Sequence, residues 1–143
     1  MFNIVILYKD TKACNSLITT LASQLKTESL FIYMEKGQIP GYRLSHARIY
    51  VLTPEIGGDA RLQMKYMLSI ASIGNKYTLI MHPSDRINSL FLVRVRMNLN
   101  RSRVVPDILI NGKLLPRLIN NQAKALKFRY NRVMGYKRIL RDN

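Results

Sequence analysis

Residues Phe2-Asn3-Ile4-Val5-Ile6-Leu7-Tyr8 form a short, nearly continuous apolar run. A run of that length and character fits a strand covered on both faces of a sheet. Similar runs recur at Ser29–Met34, Ala47–Leu52 and Tyr77–Met81. Between them lie segments with helical spacing. Leu17, Ile18, Leu21 and Leu25 follow a capping Asp10 or Thr11, and Leu62, Tyr66, Met67 and Ile70 follow a capping Asp59 and end near Gly74. Lys36 to Ser45, with Gly37, Pro40 and Gly41, reads as a loop.

Alternation of strand and helix constrains the fold strongly. It predicts an α/β architecture with an open, mainly parallel sheet of about five strands, Rossmann-like or flavodoxin-like, and right-handed crossovers. A chain of 143 residues suits a single domain over 1–143. With 48% apolar residues it has enough material for a core.

Beyond Pro83 the pattern changes. Phe91, Val93, Val95, Met97 and Leu99 alternate with Leu92, Arg94, Arg96, Asn98 and Asn100. That alternation favours a strand with a basic face, and a helix from Ser84 to Asn100 is the alternative. Asn111-Gly112 sits between two apolar runs, the signal of a tight hairpin, because a type I′ turn needs positive φ at both central residues. The competing reading is a strand that stops at Asn111. Over 117–141, Ile119, Leu126, Val133 and Leu140 recur every seven residues, with Ala123 and Tyr130 beside them. This spacing predicts a basic amphipathic C-terminal helix, with Gly135 as an interruption.

The charge is segregated along the chain. Residues 1–93 hold 10 basic and 6 acidic residues, net +4, a near-neutral core. Residues 94–143 hold 13 basic and 2 acidic residues, net +11 of the total +15, and nine of those 13 are arginines. Such an excess calls for an anionic partner. The expected surface comprises Arg94, Arg96, Arg101, Arg103 and Lys113, joined by Arg117, Lys124, Lys127, Arg129, Arg132, Lys137 and Arg138 of the last helix. Phe128, Tyr130 and Tyr136 are interleaved with these charges, an arrangement able to stack on bases. The reading is a non-enzymatic nucleic-acid-binding protein that contacts the phosphate backbone, with RNA or a ribonucleoprotein favoured over DNA. A structural subunit docking through 117–141 is one alternative, and a membrane surface ranks below it because the charge extends outside this helix.

Other classes lack their residues. A lone Cys14 supports neither an intramolecular disulfide nor a cysteine zinc cluster, and His46 and His82 make a poor metal set. No metal or cofactor is expected. No apolar run approaches a membrane span, and no basic segment precedes Phe2 as it would in a secretory signal. A reducing intracellular compartment is the expected location.

One further segment has the form of a ligand site. Thr53-Pro54-Glu55-Ile56-Gly57-Gly58-Asp59 follows a strand and opens a helix, where backbone N–H groups can hold an anion. Thr53, Glu55, Gly57, Gly58 and Asp59, with His82 after the fourth strand, are the candidate pocket. The order of strand, Gly-rich turn, helix, Gly74-Asn75-Lys76 and strand over 47–82 resembles nucleoside deoxyribosyltransferases and the related TIR-like domains. That resemblance implies a nucleotide-binding enzyme or sensor, the second alternative. The family's catalytic glutamate would fall at Met67, and no carboxylate lies between Asp59 and Asp85, so the implied pocket is degenerate.

Overall fold

A computed structural model describes residues 2–35, 46–56 and 59–121. The elements run β1 (Phe2–Leu7), α1 (Lys12–Gln24), β2 (Leu30–Tyr33), β3 (Ile49–Leu52), α2 (Ala60–Ala71), β4 (Tyr77–Met81), α3 (Phe91–Arg101), β5 (Ile108–Ile110), β6 (Lys113–Leu115) and β7 (Leu118–Asn120). Five strands form one sheet in the order β3-β2-β1-β4-β7, and β5 and β6 form a separate hairpin. The first four are mutually parallel, and β7 runs antiparallel to β4. The mainly parallel α/β sheet expected from the alternation is therefore present. Of the helix expected over 117–141, the part from residue 122 onward lies outside the described residues.

Strand β1 occupies the centre and shows why its apolar run is continuous. Phe2, Ile4 and Ile6 point into one core with Cys14, Leu17, Ile18 and Leu21 of α1 and Phe91, Leu92 and Val95 of α3. Val5 and Leu7 point into the other, against Met64, Met67 and Leu68 of α2. Each wholly buried aliphatic side chain contributes about 1.5–3 kcal/mol, and alternate residues feed opposite cores. Asn3 breaks the run for a reason: its Nδ2 donates to the Ala71 carbonyl at the end of α2, 2.8 Å away. The caps follow expectation, since Thr11 Oγ1 accepts from Cys14 N and Asp59 Oδ1 accepts from Arg61 N.

Two expectations need correction. Residues 91–99 form a helix, not a strand. At 100° per residue, Phe91, Val95, Leu99 and Leu92 fall within an arc of about 100°, while Val93 and Met97 stay exposed. Counting Val93 and Met97 as core residues produced the false alternation. The second correction concerns 117–120. Ile119 belongs to β7, where it pairs with Thr78, so the sevenfold apolar spacing does not start on a helix. The segment is fastened by Asn121, whose N–H donates to the Lys76 carbonyl, whose Nδ2 donates to the Asn75 carbonyl and whose Oδ1 accepts from Thr78 Oγ1.

Asn111 and Gly112 form the turn of the β5–β6 hairpin, with φ of 54° and 75°. The hairpin reading holds, with positive φ at both central residues as a type I′ turn requires.

Candidate functional site

In an open parallel sheet, ligands bind beyond the carboxyl ends of the strands, at the point where the strand order reverses. Here that point lies between β1 and β4. From β1 the chain proceeds outward to β2 and β3, and after α2 it crosses back to β4 on the other side of β1, while α1 and α3, which follow β1 and β4, pack on the same face. Lys9 and Asp10 follow β1, and His82 to Arg86 follow β4. Lys12, Ser16 and Thr20 of α1 face Asp85, Arg86 and Ile87 across a cleft of about 560 Å³.

The turn after β4 is tightly organised. His82 N donates to Asp85 Oδ2 at 2.7 Å, and Asp85 N donates back to the His82 carbonyl. Ser84 N donates to His82 Nδ1 at 3.1 Å, and Ser84 Oγ lies 2.6 Å from the same nitrogen. An Nδ1 that accepts a backbone N–H carries no proton, so the neutral ring holds its proton on Nε2. Burial pushes the His82 pKa down most strongly, Asp85 pulls it back up, and the lesser effects of the Arg117 and Lys9 charges push it down again, leaving it below the ordinary histidine value. His82 is thus a neutral hydrogen-bond donor within electrostatic reach of Lys9. On the β1 side, Tyr8 Oη donates to Asn15 Oδ1 at 2.8 Å and braces the Lys9–Thr11 turn.

Asp85 and Arg117 are both buried. Arg117 Nη1 and Nη2 donate to the two carboxylate oxygens at 2.7 and 3.1 Å. Arg117 was expected on a solvent-facing helix; instead it enters the protein and joins β7 to the turn after β4. Arg96 is a second correction. Its Nε and Nη2 donate to the wholly buried Glu28 carboxylate, and Nη2 also donates to the Gln24 carbonyl. Arg94 and Arg96 do not share a face, because two residues on a helix are 200° apart. Arg94 instead lines a groove with Arg101. Arg103 and Lys113 are exposed, in the bend after α3 and at the start of β6. Lys124, Lys127, Arg129, Arg132, Lys137 and Arg138 lie outside the described residues.

The candidate pocket is divided. Thr53 and Glu55 lie after β3, at the outer edge, and Asp59 caps α2. His82 lies three strand spacings away, about 14 Å. Both groups occupy the carboxyl edge, but the sheet does not bring them together. Gly57 and Gly58 lie outside the described residues. Met67 is wholly buried between α2 and the sheet, so the position matching a deoxyribosyltransferase glutamate faces core and not a ligand. Sequence reasoning missed Lys9, Lys12 and Ser84. The signal available was their place just after a buried strand or just before a helix. The described residues contain no group of three or more His, Cys, Asp or Glu able to hold a metal ion. No described helix is long and apolar enough to cross a membrane.

No protein-family model and no curated protein matches this sequence. Some solved structures share this α/β fold. One is the crystal structure of S. aureus TarS 1-349, with a TM-score of 0.59 and 16% identity, covering 85% of this chain and 47% of that one. Another is S. aureus TarS, with a TM-score of 0.58 and 17% identity, covering 92% of this chain and 30% of that one. This chain spans less than half the length of either. At such identities the likeness is one of fold. It overturns the expectation of a non-enzymatic nucleic-acid or ribonucleoprotein binder, because the architecture is one used by an enzyme, a glycosyltransferase. The internal pairing of Arg96 and Arg117 removes two of the expected phosphate contacts as well.

Proposed function

We propose that this chain is a nucleotide-binding α/β unit of the glycosyltransferase class, holding the diphosphate of an activated sugar between the ends of β1 and β4. The observation that carries the reading is the switch point itself. The parallel order β3-β2-β1-β4 sets the Lys9–Lys12 segment after β1 beside the His82–Ile87 turn after β4, and Lys12 and Arg86 line the cleft between them. Lysines supply point charges for phosphate oxygens. Backbone N–H groups at the start of α1 add to the positive potential. Glycosyl transfer requires the leaving diphosphate to be stabilised as negative charge builds on it, and this is the contribution these groups make.

The test is thermal stabilisation and calorimetry with uridine, guanosine and adenosine diphosphates. At least one should bind, and Lys9→Glu and Lys12→Glu should each weaken it by about tenfold or more, the loss expected for one charge-assisted contact. Absence of binding by all three, or equal binding by both variants, removes the proposal.

A further inference from the structure

A second cleft lies on the far side of the Arg86–Ile87 wall, between α3 and the β5–β6 hairpin. Its volume is about 390 Å³, within the range of small-molecule sites. The floor is apolar, made by Phe91 and Val95 of α3 and Ile108 of β5, all buried. The rim carries the guanidinium residues Arg86, Arg94 and Arg101. Arg94 and Arg101 are seven residues apart, so they stand on one line of the helix. Among the described residues no carboxylate lines this cleft, and none of these three guanidinium groups has an ion pair.

That absence contrasts with the rest of the fold. The two arginines that enter the protein, Arg96 and Arg117, are each neutralised by a dedicated carboxylate. Three cations lining one cleft over an apolar floor repel one another until an anion joins them. The neutral polar groups tell the same story. Asn88 Oδ1 accepts from Leu90 N at 2.9 Å, and Asn111 Oδ1 accepts from Arg86 N at 2.6 Å. Each amide oxygen is thereby committed to the backbone, which leaves the NH₂ group as a donor. Asn111 reaches Arg86 because the tight turn holds it at positive φ. The cleft is therefore rich in donors, and a phosphate monoester dianion presents only acceptors.

We propose that this cleft binds a small phosphate-bearing molecule with an apolar or aromatic body, its phosphate held by Arg94, Arg101 and Arg86 and its body seated on Phe91, Val95 and Ile108. The site is separate from the nucleotide crevice and does not depend on it. A concave pocket of this size admits a small ligand and not a polymer strand.

The experiment is calorimetric titration of the full chain with phenyl phosphate, inorganic phosphate and phenol. Phenyl phosphate should bind more tightly than either fragment. The Arg94→Gln/Arg101→Gln double variant should weaken it about tenfold or more with an unchanged melting temperature, since both side chains are exposed. Lys9→Glu should leave phenyl phosphate binding as it was. The proposal is overturned by no binding of phenyl phosphate, by equal affinity in the double variant, or by loss with Lys9→Glu alone, which would place the probe in the other crevice. Inorganic phosphate binding as tightly as phenyl phosphate would also overturn it, because the apolar floor would then contribute nothing.

Discussion

Asp85 and Arg117 meet in a buried two-pronged ion pair, 2.7 and 3.1 Å long, although 32 residues separate them in the chain. Asp85 also accepts from His82 N, so one carboxylate organises both the turn after β4 and the entry to β7.

Removing either partner leaves a buried charge uncompensated. Asp85→Leu and Arg117→Met should each cost about 3–5 kcal/mol, whereas the double variant, which removes both charges, should lose much less than the sum. Urea unfolding of the four proteins measures this directly. Additive losses would show that the pair is not coupled.

Glu28 governs the acid limb of stability. Burial alone would push its carboxyl pKa up, but donation from Arg96, Thr27 Oγ1 and Lys26 N outweighs burial and holds it below the ordinary glutamate value. A lowered folded-state pKa means the contribution is whole above about pH 4.3 and is lost as pH falls through the folded value. Glu28→Gln should flatten that part of the stability profile. A profile parallel to wild type below pH 5 would contradict this.

His82 acts one step higher on the pH scale. Its pKa is depressed by burial and by the Arg117 and Lys9 charges. The neutral ring therefore stabilises the fold above about pH 6.5, and this is lost as pH falls through the lowered folded value. NMR titration of the ring should give a midpoint below that of a histidine peptide. Lys9→Glu should move the midpoint upward, and a fixed midpoint would separate the two groups.

Gly112 has φ of 75° and open space where a Cβ would sit. Gly112→Ala therefore meets no clash, only the strain of the left-handed conformation, about 1 kcal/mol. Asn111→Ala removes in addition the acceptor for Arg86 N and should cost more. Denaturation midpoints of the two variants rank them.

Local pattern and long-range pairing account for what the sequence revealed. β1 was legible because both its faces are buried, and Asn111-Gly112 because the turn chemistry is local. α3 was not, since its solvent side carries Val93 and Met97 and imitates a strand. Arg117 was not, because its partner Asp85 lies far away in the chain. The carboxyl-edge position of His82 followed from strand order, but its company with Lys9 required the pairing of β1 with β4. The arginine excess was visible as a number, and only the fold separates Arg96, spent on Glu28, from Arg94, which lines an open cleft.

The placement of β7 has a consequence for synthesis. As the chain leaves the ribosome, β1 to β4 emerge first and can pair through local crossovers. Until residues 117–120 follow, the apolar Tyr77–Met81 strand remains an unpaired edge and Asp85 has no cation. An exposed apolar edge is a template for association with other chains. β7 is thus the latch on the β4 edge, and a nascent chain arrested before Arg117 is the form in which that edge is most exposed to aggregation.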